Sequence, residues 1–315
     1  MTSQGSDRQQ PPRSPRSIWA DWMDANAAGD VERADSCAEA MTRAAPAAFA
    51  AWFEAGLHAK ARRDWTRCRA WNARALELFG EAERQEFDGA NPAAWNLGIA
   101  ATALGDWASA RRAWTAYGIT GIGDGVEEID VDFGMAPIRL NPDRASLALE
   151  VQPAHGNTEV VWCWRRSPAH AVIASVPLPE SGHRFRDVLL HDGEPKGTRV
   201  SGDREVSVFD EIARLHESRL PTWQAQVTGA SEADIDAASD LFGQRGLGAD
   251  NWSGLNLLCA DCSHGSPGRD HHHQTPPADT MTLGLAGPED DIAECLNRWR
   301  ADRPGVEVLA LELLW

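Results

Sequence analysis

Basic charge is in short supply beside acidic charge in this chain: 30 Lys and Arg stand against 47 Asp and Glu over 315 residues, a formal net charge of −17. An averaged negative field repels phosphate backbones and anionic lipid, so neither nucleic acid nor a membrane surface is expected as a partner. Long apolar runs are missing as well. Nothing approaches the roughly 18 consecutive apolar residues of a membrane span, and the opening MTSQGSDRQQPPRSPRS lacks the apolar core of a secretory signal. Residues 1–17 therefore read as a disordered tail on a cytosolic protein. Cysteine is sparse and scattered, at 37, 68, 163, 259, 262 and 295, which argues against a disulfide framework at this length. The sequence also carries no nucleophile elbow, no phosphate-binding glycine loop and no His-Glu-x-x-His helix.

What the chain does carry is a unit written three times. Gly29-Asp30-Val31, Arg63-Asp64-Trp65 and Gly105-Asp106-Trp107 each close one helical run and open another, and Ala34, Cys68 and Ala110 follow at the same offset. Asp30 and Asp64 are 34 residues apart; Asp64 and Asp106 are 42 apart, which is 34 plus an eight-residue insert. The first unit is predicted as helices over Ile18 to Ala28 and Val31 to Ala44, stopped by Pro46. The second runs from near Pro46 to near Phe79-Gly80, and the third opens at Asn91-Pro92, with Asn as cap and Pro in the first turn, and closes at Tyr117. Two helices per period of 34 predict a solenoid.

Leu97, Gly98, Ala110 and Trp114 in the third unit, Gly56 in the second and Pro46 after the first carry a resemblance to the tetratricopeptide repeat family, over roughly a third of the chain. Departures are Trp22 at the place of Gly98, and Ala38 and Asn72 at the place of Trp114. The resemblance implies a concave groove, lined by the first helix of each pair, that holds a protein or peptide partner. Trp19 and Met23, Phe53 and Leu57, and Trp95 and Ile99 occupy equivalent places, each pair on one helix face. A groove so lined is apolar and aromatic, with Lys60 as its one source of charge. The competing reading makes these six residues core between repeats. After Tyr117 the Gly- and acid-rich GITGIGDGVEEIDVDFG forms no polar closing helix, so a later part of the chain is expected to cover that end. Asp124, Glu127, Glu128, Asp130 and Asp132 lack the spacing of a calcium loop and read as a solvated linker.

From Pro137 to about Ser218 the period changes. LALEV, EVVWCWR, AVIASVPLP, DVLLHDG, TRVSG and EVSVF read as antiparallel strands joined by turns. His183, His191, Asp192 and Asp210 are the residues there suited to acid–base work, with structural roles as the default. From Pro221 the order is strand TWQAQVT, a helix capped by Ser231 with Ile235, Ala238, Leu241 and Phe242 on one face, and strand SGLNLLC. Then come strand TMTLGLA, a helix after Pro288 with Ile292, Cys295, Leu296 and Trp299 on one face, and strand VEVLALELLW. That βαβ-βαβ order is the order of a ferredoxin-like sandwich, a fold that hosts many functions.

Between those halves lies the one cluster with metal-ligand spacing. Cys259 and Cys262 are two thiols of a C-x2-C pair, and His271 and His273, two apart and so on the same side of an extended chain, can complete a tetrahedral zinc site, with His264 in reserve. Four protein ligands would close the site and make one structural zinc ion; a polar loop with two ordinary thiols and a redox pair are the other readings. The fold expected is thus multidomain α + α/β: a tail over 1–17, three helix pairs over 18–122, a linker and β-rich domain over 123–219, and a ferredoxin-like domain over 220–315. The first functional reading is a cytosolic scaffold or adaptor. The second is a metal-dependent hydrolase or other enzyme, with His183, His191 and the Cys/His loop at a site between the last two domains, regulated in cis by the repeats.

Overall fold

The computed structural model describes residues 13–142, 159–201, 204–253 and 280–315. The chain divides into two compact units, 1–129 and 130–315.

The first unit is helical: α1 (Pro15–Ala27), α2 (Val31–Ala44), α3 (Phe49–Ala61), α4 (Trp65–Leu78), the short α5 (Glu81–Glu86), α6 (Pro92–Ala103) and α7 (Trp107–Tyr117). The repeated aspartate has one job in all three pairs. Asp30, Asp64 and Asp106 each cap the second helix, accepting from the main-chain N–H of Arg33 (3.2 Å), Arg67 (3.0 Å) and Ser109 (3.1 Å), a bond whose loss typically costs about 1 kcal/mol. Gly29, Arg63 and Gly105 precede them in the left-handed region, at φ 68°, 56° and 66°. Asn91 caps α6 through the N–H groups of Ala93 and Ala94. The eight-residue insert makes α5 and supplies Phe87, which packs with Phe49, Phe53 and Phe79.

The acidic stretch after α7 is not the free linker expected of it, at least as far as Ile129. Arg111 on α7 donates to the carbonyl oxygens of Ile122, Gly125, Glu127 and Glu128, and Ile122 and Ile129 are buried. A guanidinium has five N–H donors in a rigid fork, enough to gather a turning backbone whose acids point outward.

The second unit has two sheets. The first contains β1 (Met135–Arg139), β2 (Val160–Arg165), β3 (His170–Ile173), β4 (Val188–His191), β5 (Gly197–Ser201) and β6 (Arg204–His216), in the order β1-β2-β3-β4-β6-β5. A parallel pairing of β1 with β6, Ile138 opposite Phe209, closes five of them into a barrel. β6 is long enough to serve twice, its first half pairing with β5 and its second with β4 and β1. The barrel is filled by Ala136, Ile138, Val161, Cys163, Ala171, Ile173, Leu189 and Phe209, at every second position of their strands. Sequence reading missed β1, because Pro137 within it looks like a break. The expected strand LALEV lies outside the described residues.

The second sheet is β7 (Thr222–Thr228), β8 (Gly248–Asn251), β9 (Thr280–Ala286) and β10 (Glu307–Leu313), with α8 (Glu232–Gln244) between β7 and β8 and α9 (Glu289–Ala301) between β9 and β10. The order β10-β7-β9-β8, with every neighbour antiparallel, interleaves two βαβ units, each holding a strand of the other between its own two. Ile235, Ala238 and Phe242 of α8 and Ile292, Cys295, Leu296 and Trp299 of α9 bury one face against Trp223, Ala225, Val227, Leu283 and Leu285. Leu241, expected on the same face, is partly buried against that core. Pairing with β9 is made by Gly248–Asn251, just before the expected strand SGLNLLC, whose residues 254–259 lie outside the described residues. Gly-Ala-Asp-Asn reads as a turn, yet Ala249 is core and Gly248 leaves room for Val176 and Phe185, which a Cβ there would meet at 2.7 and 3.1 Å.

Candidate functional site

The six residues proposed to line a groove lie on α1, α3 and α6 and are graded in exposure. Trp19 and Met23 on α1 are 39% and 51% exposed. Phe53, Leu57 and Trp95 are half-buried, and Ile99 is fully buried and so offers no surface. Trp19 lies beside Trp22 with ring centres 4.9 Å apart. Phe53 stacks on Phe49 at 5.3 Å and meets Phe87 edge-on at 6.1 Å, while Trp95 is held by Trp114 at 5.1 Å and Tyr117 at 4.7 Å. Each deeper ring is committed to aromatic neighbours of its own unit. Lys60 donates to the side-chain oxygen of Asn96 at 3.0 Å. The accessible apolar surface of this set is therefore concentrated on the first pair. Phe79 and Phe87, which anchor Phe49 and Phe53, escaped sequence reading because they fall at and inside the insert.

A charged notch lies nearby. His58 and Asp35 pair at 2.6 Å, and Arg67 bonds Glu39 at 2.6 Å while lying over Trp71. Its volume of about 70 Å³ suits a few waters rather than a substrate.

The acid–base candidates of the barrel separate clearly. His183 is buried, with Nε2 at 2.8 Å from the Glu211 carboxylate and Nδ1 at 3.1 Å from the Ser181 carbonyl oxygen. Both ring nitrogens face an acceptor, which leaves none to exchange a proton with a substrate. Burial would raise the Glu211 carboxyl, but His183, the Asn141 N–H and Arg214 together bring it below its ordinary value. Asp210 pairs with Arg139 at 2.6 Å. Asp192, half-buried, follows β4 directly. His191 differs from all of these. It is fully buried, neither ring nitrogen has a hydrogen-bond partner among the described residues, and its ring centre lies 5.3 Å from that of Phe209. Burial, with the nearby charge of Arg165 and His170, pushes its pKa down to about 3.

Two further carboxyls, not singled out from sequence, meet the segment after β3. Glu159 accepts from the N–H of Leu178 at 3.1 Å with both oxygens, and Asp250 of β8 accepts from the N–H of Val176. Burial raises both, Glu159 to about 8 and Asp250 to about 6, and the charge of Asp250 adds to the rise at Glu159.

The zinc candidates Cys259, Cys262, His271 and His273, with His264, lie outside the described residues. Among the described residues, Cys37, Cys68, Cys163 and Cys295 are buried, and no group of three or more His, Cys, Asp or Glu is placed to hold a metal ion. No described helix is long and apolar enough to cross a membrane. No protein-family model matches the chain, and no curated protein matches it either.

Proposed function

We propose that this protein is a cytosolic interaction protein, without an enzymatic reaction of its own, that holds a protein or peptide partner on the first-helix face of its N-terminal unit. The reading takes α1 to α4 with α6 and α7 as a three-repeat tetratricopeptide-like solenoid, and the interleaved second sheet with α8 and α9 as a ferredoxin-like sandwich. The observation that carries it is the pair Trp19 and Met23, which stays in solvent on α1 while its counterparts on α3 and α6 sink progressively into aromatic neighbours. Exposed aromatic and thioether groups on a repeat scaffold are suited to gripping an apolar segment of a partner. Commitment of His183 and Asp210 to neighbours within the barrel weighs against an acid–base site there.

The test is capture by a photo-crosslinking residue at position 23. A defined partner should be captured by the otherwise wild-type chain, and Trp19→Ala should abolish capture while leaving the chain folded, its loss of stability limited to the contact with Trp22 at a partly exposed position. Equal capture after Trp19→Ala would remove this face from consideration. The second part of the proposal, one structural zinc held by Cys259, Cys262, His271 and His273, rests on ligand spacing alone.

A further inference from the structure

One end of the barrel holds three buried nitrogens with no hydrogen-bond partner among the described residues, Arg165 Nε and both ring nitrogens of His191. On β2, Val161, Cys163 and Arg165 share a face, and on β4 Leu189 and His191 share one; both sets continue the alternation that fills the barrel. Arg165 and His191 converge on one ring. The Arg165 guanidinium lies 5.0 Å from the centre of Phe209 and 5.8 Å from that of Phe133, and His191 meets Phe209 at 5.3 Å. Phe133 is fixed there by main-chain bonds, its N–H to the Arg165 carbonyl oxygen and the Arg165 N–H to the Gly134 carbonyl oxygen, both at 2.9 Å.

Buried polar groups are normally paired, and a buried charge especially so. Here Arg165 Nε and both nitrogens of His191 are buried with no hydrogen-bond partner among the described residues. The neighbouring acid does not answer them. Glu211 stands opposite His191 in the strand register, but its two oxygens are taken by His183 and by the Asn141 N–H. Asp210 is taken by Arg139, and Asp130 by Arg166. The two rings can stabilise the cation but offer its N–H groups no lone pairs. What this end of the barrel presents is a guanidinium fork in an aromatic frame, partly open to solvent, with the His191 imidazole against the same Phe209 ring.

We propose that the Arg165–His191 end of the barrel binds a small oxyanion, a carboxylate or a phosphate. The guanidinium fork bonds two of its oxygens and an imidazole N–H of His191 a further lone pair. The depressed pKa of His191 is consistent with this assignment: a neutral imidazole supplies one N–H donor without adding a second positive charge beside Arg165. The barrel mouth is a general place for such a ligand, because strand ends converge there around a dry interior.

The experiment uses the full chain with 15N-labelled histidine, titrated separately with acetate, benzoate and inorganic phosphate at constant ionic strength, so that general screening of a strongly acidic protein is held fixed. One of the two chemistries should shift the His191 ring resonances saturably and raise the melting temperature along the same binding curve. Arg165→Gln, at a half-exposed position, should abolish both effects, and Arg165→Lys should weaken binding at least tenfold. His191→Leu, which fills the same space without a nitrogen, should also weaken it at least tenfold. No saturable response to any of the three anions, or an equal response in Arg165→Gln, overturns the proposal. Binding unchanged in His191→Leu overturns the two-residue site.

Discussion

Trp114 occupies the space that a side chain at position 98 would need: a Cβ on Gly98 would come within 2.5 Å of its ring. In the second pair a Cβ on the equivalent Gly56 would come within 2.3 Å of the amide of Asn72, and in the first pair the bulk is exchanged, with Trp22 on the first helix and Ala38 on the second. One contact is thus filled from alternate sides. Gly98→Ala should cost about 1–3 kcal/mol by overpacking, measured as a lower urea midpoint at unchanged slope. The exchange of bulk is readable at 22 and 38 once the repeat is aligned. Asn72 is not readable in the same way, because a polar residue in a helical pattern suggests surface; here it is fully buried and donates to the Cys68 carbonyl oxygen at 2.8 Å. Glu159 was equally hidden, since only the fold brings it to Leu178 and Asp250. Its folded pKa of about 8 lies above an ordinary carboxyl value. The folded state therefore binds the extra proton between about pH 4.5 and 8, and stability is full below that window and falls as pH rises through it. Glu159→Gln should flatten the decline in unfolding free energy between pH 5 and 9. An unchanged slope would assign the decline to other groups.

At the scale of elements, the barrel and the second sheet meet through β8 and the residue after it. Trp252 covers Gly284 of β9, where a Cβ would come within 2.0 Å of its ring, and its Nε1 donates to the Val176 carbonyl oxygen at 2.9 Å. Trp252→Phe keeps much of the ring but strands that carbonyl, and should cost about 1–3 kcal/mol. Trp252→Ala should cost about 3–5 kcal/mol. Chemical denaturation of the full chain, followed by far-UV circular dichroism, would measure both. Helices α2, α6 and α7 were legible because their caps are local: Asp30, Asn91 and Asp106 bond N–H groups two or three residues on. β8 was not, because its pairing comes from β9, some 30 residues later, and no local signal marks it. For the cysteine pair the expectation is about one zinc per chain by elemental analysis of tag-free protein, lost in Cys259→Ser together with protease resistance of the surrounding loop. Metal-free wild-type protein would remove the zinc reading.

For the whole molecule, the division after Ile129 sets where the chain can be cut. A fragment ending at residue 118 keeps all seven helices but removes the four carbonyl oxygens that Arg111 gathers. The fragment 1–129 should melt several degrees above 1–118, each lost bond to a charged donor being worth about 1 kcal/mol or more. Equal melting temperatures would make the clasp incidental.

Closure of the barrel also has a consequence in time. Arg139 and Asp210, side by side where β1 meets β6, are 71 residues apart in sequence, whereas the two helices of each pair are joined by a turn of three residues. Ordering a span that long ahead of its contacts is slow, and local helical contacts need no such wait. During synthesis α1 to α7 can settle while β1 to β4 wait, their last partner not yet made. A ribosome stalled before β6 should present a protected helical unit and an unprotected β1 to pulsed hydrogen exchange, with protection of β1 arriving only when Phe209 has emerged.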